Sequence, residues 1–170
     1  MREERGFTLV EVLVVLIIIG LLAAIGYAVF LGQRTKAKDA EAKNNVAALS
    51  GEVESCRAEK GDFMECNTPF KLAEPGLPVD TGAASDVPCD PLPAAGPDPL
   101  PPPDPGKIAV VGSSEKCYVV EGQTTDGHLF WVWRPPDAAI KRACRPPGPG
   151  GCHDDPHSGD VTVGSWQRED

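Results

Sequence analysis

A single carboxylate, Glu11, stands inside an otherwise uncharged run of 25 residues from Phe7 to Leu31. In the apolar part of a membrane helix an ionised Glu costs about 2.5–3.5 kcal/mol on insertion scales, and less near the interface. That cost is met in one of two ways. The side chain reaches back to water, for which Glu is short, or a cation comes to it after assembly. Six cysteines form a second candidate set: Cys56, Cys66, Cys89, Cys117, Cys144 and Cys152. An even number on a short chain behind an apolar N-terminal segment points to disulfides made outside the cytoplasm. No CxxC pair is present, so a structural zinc site lacks its usual framework. The third set is Cys152-His153-Asp154-Asp155-Pro156-His157. His153, Asp155 and His157 are metal-ligand types, but Pro156 prevents the helical His-x-x-x-His geometry, and an exposed polar loop is the simpler reading. With three histidines, no nucleophile motif and no phosphate-cradling glycine loop, the chain is expected to be neither an enzyme nor a cofactor binder.

These residues need elements to hold them. As a helix rising about 1.5 Å per residue, Phe7 to Leu31 spans a hydrocarbon core of about 30 Å, and lipid leaves its backbone no other way to satisfy its hydrogen bonds. A cleaved secretory signal competes with this reading. Its apolar region usually runs only about 7–15 residues, although Gly26-Tyr27-Ala28 is a passable small-x-small cleavage site. A net charge of −9 argues against a surface that tracks nucleic acid phosphates and suits a soluble exposed head.

Gly6-Phe7-Thr8-Leu9-Val10-Glu11, behind the short charged leader Met1 to Arg5 and ahead of a long apolar helix, resembles the class III signal of type IV pilins and pseudopilins. The resemblance implies that a prepilin peptidase cuts between Gly6 and Phe7 and methylates the new amine of Phe7. Glu11 then becomes the fifth residue of the mature chain, the position whose carboxylate meets a neighbouring subunit's terminal amine in the filament. An ion pair in low dielectric answers the question that Glu11 raises. Two features depart from the family pattern. Ala28 stands where many pilins carry a helix-loosening proline, leaving Gly20 and Gly26 as weak points. Arg34, Lys36 and Lys38 follow the span, whereas Arg2 and Arg5 before it are offset by Glu3 and Glu4, so positive charge alone favours the opposite orientation.

Beyond Leu31, Ala42, Val46, Leu49, Val53 and Cys56 fall on one helical face, so the helix is expected to continue to about Lys60 and stop at Gly61. Twelve of the eighteen prolines lie between Pro69 and Pro105, which excludes helix and sheet and favours a stiff irregular connection. Lys107–Val111, Cys117–Val120 and His128–Trp133 read as strands joined by hairpins at Gly112–Glu115 and Gln123–Gly127, with a weaker strand over Ala139–Cys144. Phe130 and Val132 share one face, Leu129, Trp131 and Trp133 the other. One face is expected on the helix. The tryptophans either form an exposed contact surface or pack under a loop or beside Trp166.

The resemblance implies an α+β pilin fold: a long N-terminal helix, membrane-spanning then amphipathic, packed on a small disulfide-linked antiparallel meander with a Pro-rich loop. The expected parts are a leader (1–6), a membrane or filament-core helix (7–31), its amphipathic half (32–60), the Pro-rich loop (61–106) and a sheet head with C-terminal loop (107–170). Cys144 and Cys152 resemble the disulfide-closed C-terminal loop of many pilins, Cys56 and Cys66 close a short loop around Gly61, and Cys89 and Cys117 are left to each other. That is a preference among 15 connectivities. Some pseudopilins bind calcium in this part of the fold; Asp154, Asp155 and Asp160 have suitable chemistry without EF-hand spacing.

The expected function is a type IV pilus subunit serving adhesion, motility or DNA uptake. It is first a single-pass membrane protein and then part of an extracellular filament. Its partners are the prepilin peptidase, copies of itself, the assembly platform and minor pilins. The alternatives are a periplasmic type II secretion pseudopilin, a minor pilin, and an anchored binding domain that never polymerises.

Overall fold

The computed structural model describes residues 7–66, 76–82, 89, 102–136, 139–147, 151–154 and 164–166. Most of the proline-rich stretch lies outside these residues, as do Gly6, Asp155, His157 and Asp160. Helix α1 spans Leu9–Lys60 and is followed by a 3-10 turn at Met64–Cys66. Its start falls at Leu9 instead of Phe7 because Thr8 caps it. Its end falls where expected: Gly61 takes a left-handed φ of +93° and donates its N–H to the Arg57 carbonyl at 2.7 Å. The chain divides into two compact units, Met1–Thr35 and Lys36–Asp170.

The second unit is the sheet head together with the part of α1 from Lys36 onward. Strands β1 (Ile108–Ser113), β2 (Tyr118–Gln123), β3 (Leu129–Arg134) and β4 (Lys141–Arg145) form an antiparallel meander. Two further pairs, β5 (His153–Asp154) and β6 (Gly164–Ser165), extend the sheet in the order β1-β2-β3-β4-β6-β5. The expected hairpin at Gly112–Glu115 is shorter, because β1 runs on to Ser113 past a bulge between Val110 and Gly112. Ser114 then turns the chain, donating its N–H to Cys117 at 2.9 Å. The second hairpin turns on Gly127, at φ +89°, whose N–H reaches the Thr124 carbonyl at 3.0 Å.

Side-chain alternation sorts the sheet into two apolar faces. Ile108, Val110, Tyr118, Val120, Phe130, Val132 and Cys144 meet Ala42, Val46, Leu49 and Val53 of α1. Burying each of the larger aliphatic side chains contributes about 1.5–3 kcal/mol. The opposite face gathers Ala109, Val111, Cys117 and Val119 under Cys89, with Trp133 packed beside them. Trp131 is only 4% exposed. Trp166 meets the Phe130 ring edge-on at 6.5 Å and donates Nε1–H to the Trp131 carbonyl at 3.3 Å. The tryptophans thus belong to the packing, Trp131 buried and Trp133 and Trp166 half-buried.

Gly122 lies at a close approach of helix to sheet. A Cβ there would sit 2.6 Å from Val46 Cγ2 and 3.0 Å from Ile108 Cγ2. Gly122→Ala is therefore expected to destabilise the head by about 1–3 kcal/mol through overpacking. A urea titration of the full chain in detergent measures this, and an unchanged midpoint would contradict the close approach.

Polar side chains tie helix to sheet at several points. Asp39, 1% exposed, bonds His128 Nδ1 at 2.9 Å, beside the Lys38–Asp126 ion pair at 2.6 Å. Arg134 donates to Glu54 Oε1 at 2.7 Å. Lys43 donates to the Gly151 carbonyl at 2.9 Å and lies 5.0 Å from the centre of the Phe130 ring, so it draws the C-terminal loop onto the helix. Partial burial lowers the Lys43 pKa, against the opposing pull of Asp39.

Tyr118 is fully buried edge-on to Phe63, with ring centres 4.8 Å apart. Its hydroxyl lies beside Glu54 and Ser50 but has no hydrogen-bond partner of good geometry among the described residues. Burial, reinforced by the Glu54 carboxylate, pushes its pKa well above the usual value of about 10. Above that pH the unfolded chain loses the phenolic proton before the folded one, so Tyr118 makes stability fall as pH rises. Lys43 acts in the opposite sense, since the folded chain gives up that proton first and stability gains until the unfolded lysine also titrates at about 10.4. Tyr118→Phe is expected to flatten the alkaline loss. At pH 7 it is neutral or stabilising by up to about 1 kcal/mol, because a buried hydroxyl without a partner is removed. Thermal melts at pH 7 and pH 10.5 measure both effects. A large loss at pH 7 would show that the hydroxyl is bonded after all.

Candidate functional site: the N-terminal segment

The residues singled out for processing and assembly lie at the start of the first unit. Phe7 is 87% exposed, Glu11 is exposed, and the large apolar side chains from Leu9 through Leu31 described in this structure all face outward. The helix is long and apolar enough to cross a membrane. An isolated helix bearing such a surface in water is unfavourable, so the segment requires lipid or other helices around it.

At its tip, Thr8 and Glu11 bond reciprocally. The Thr8 N–H donates to Glu11 Oε2 at 2.9 Å and the Thr8 hydroxyl to the same oxygen at 2.7 Å, while the Glu11 N–H donates to Thr8 Oγ1 at 3.3 Å. The Val12 N–H to Thr8 carbonyl bond, 3.4 Å, follows. This is a capping box: Thr8 at the cap and Glu11 three residues on satisfy two donors that the helix itself leaves open. The Glu11 carboxylate is thereby held at the rim of the helix, with its charge undiminished by any cation among the described residues. The sequence carries this signal as Thr-x-x-Glu, Thr8 to Glu11, ahead of an apolar run.

The six cysteines form three bridges, Cys56–Cys66, Cys89–Cys117 and Cys144–Cys152, spanning 10, 28 and 8 residues. Cys152 is thus removed from any metal cluster, and among the described residues no group of three or more His, Cys, Asp or Glu is placed to hold a metal ion.

A family model described as the prokaryotic N-terminal methylation motif matches residues 1–27. The chain is 41% identical over 63 residues to the type IV major pilin protein PilA of Myxococcus xanthus, covering 37% of this chain and 29% of that protein. It is 31% identical over 98 residues to the type II secretion system core protein G of Aeromonas hydrophila, covering 53% of this chain and 68% of that protein. A fimbrial protein of Pseudomonas aeruginosa is 33% identical over 69 residues, covering 41% of this chain and 45% of that protein. No solved structure matches. Fold and site together define a structural subunit with a membrane-compatible helix, a capped and charged N-terminus and a disulfide-linked head. The chain belongs to the type IV pilin and pseudopilin family, a family of non-catalytic subunits.

Proposed function

We propose that the chain is a prepilin whose leader, residues 1–6, is removed between Gly6 and Phe7. Phe7 is methylated on its new amine, and the mature subunit polymerises into a helical filament. Residues 7–31 form the membrane anchor and then the filament core, residues 32–60 carry the head, and residues 107–170 make up the sheet and C-terminal loop. The observation that carries this reading is Glu11, an exposed carboxylate within the first turn of an outward-facing apolar helix. It favours assembly, because a neighbour's terminal amine turns its desolvation cost into an attraction.

The first reading of the filament is a surface pilus built with minor pilins on an assembly platform, supported by the Cys144–Cys152 loop of pilin type. The second, a secretion pseudopilus, is supported by the 98-residue match to core protein G. That match covers 53% of this chain, against 37% for the major pilin and 41% for the fimbrial protein. Deleting the gene tests both readings. Loss of surface filaments with normal protein export supports the pilus, loss of export supports the pseudopilus, and loss of neither contradicts the proposal.

A further inference from the structure

The capping box lies immediately beside the processing position, and the two features have a physical relation. Phe7 and Thr8 precede α1, which begins at Leu9. Nothing else in the sequence marks that boundary: Phe7 is as apolar as the residues that follow, and lipid favours every backbone bond closed within the helix. Without a cap, helix is free to extend back through Phe7. Hydrolysis needs the opposite, because the enzyme must reach a carbonyl and an N–H that i→i−4 bonding would occupy or hide. Independently of the cap, the match of residues 1–27 to the prokaryotic N-terminal methylation motif points to an enzyme acting at this end.

We infer that Thr8 is a positioning residue for leader removal: with Glu11 it ends the helix at Leu9 and keeps the Phe7 side of the processing bond in non-helical chain. The inference rests on the reading that the cut falls between Gly6 and Phe7. It assigns Glu11 two separable jobs. Its carbonyl-type oxygen closes the box, which Gln does as well as Glu, whereas its charge serves assembly. Thr8 serves the box alone.

The test is a time course of leader loss in membranes holding the full chain and the prepilin peptidase, read by mass spectrometry of the N-terminal peptide and normalised to inserted precursor. Thr8→Val keeps the shape and loses the cap. It is expected to slow leader removal about fivefold, the factor equivalent to about 1 kcal/mol of lost capping. Thr8→Ser, Thr8→Asn and Glu11→Gln all retain a competent box and are expected to run at the wild-type rate. A wild-type rate for Thr8→Val overturns the inference. So does a slow Thr8→Asn, which caps without a hydroxyl, since the peptidase would then be reading the hydroxyl directly. A wild-type chain cut elsewhere than before Phe7 is a different failure, one that removes the underlying processing reading as well.

Discussion

Glu11→Gln is expected to abolish filaments while leaving the precursor in the membrane, its leader removed and its head folded. The substitution keeps the size of the side chain, and Gln serves at the third helical position of a capping box as Glu does. What it removes is one negative charge. Two unit charges about 4 Å apart attract by about 4 kcal/mol at an effective dielectric near 20, roughly a thousandfold in the association constant of each subunit contact. The same contact recurs at every subunit added, so a per-step loss of that size leaves little long polymer. Electron microscopy of sheared surface material, with immunoblots of the membrane fraction, separates failed assembly from failed expression. Filaments of normal number and length would show that Glu11 is only the helix cap seen within one chain.

The largest stability effect is expected at the Cys89–Cys117 bridge. Both residues are fully buried in the apolar cluster on the face of the sheet away from α1, and the bridge spans 28 residues. Chain-entropy arguments give about 3.6 kcal/mol for closing a loop of that length, against about 2.5 kcal/mol for the 8-residue Cys144–Cys152 loop. Replacing Cys89 and Cys117 together by Ala adds the loss of buried sulfur contacts with Ala109, Val111 and Val119. The double variant is expected to melt about 10 °C below wild type, and further below it than the corresponding Cys144/Cys152 variant. The reverse ranking, in calorimetry of the full chain in detergent under oxidising conditions, would mean that the segment around Cys89 adds little to the head.

Much of this architecture can be read from periodicity, because that is what burial imposes. Ala42, Val46, Leu49 and Val53 recur at helical spacing and do face the sheet; Phe130 and Val132 alternate with Trp131 and do face the helix. Gly61 ends α1 because it alone adopts positive φ there without strain. What was missed has no periodic signal. Strands of two residues, such as His153–Asp154 and Gly164–Ser165, carry too few side chains to show alternation and depend on β4 already being in place. The Val111 bulge moves the end of β1 by a backbone irregularity that side-chain types do not announce. Asp39 looks like one charge among many on a solvated helix face, yet it is buried against His128, a contact between residues 89 apart in sequence. At the functional end, Glu11 stood out because a charge in an apolar run is conspicuous. Thr8 did not, since a hydroxyl at that position is unremarkable until its bonds to Glu11 are seen. Gly122 is an intermediate case, a glycine inside a strand that hints at close approach without naming Val46 as the neighbour.

The most direct test of the central claim is the mass of the N-terminal peptide of the protein extracted from native membranes. A chain beginning at Phe7 and carrying one added methyl group is the predicted result, since it records both acts of the pilin-processing enzyme at the residue beside the capped helix. A chain beginning near Tyr27 or Val29 would mark an ordinary secretory signal, remove Glu11 from the mature protein and contradict the filament account. An intact Met1, in cells that process other prepilins, would contradict it too and leave a simple membrane anchor.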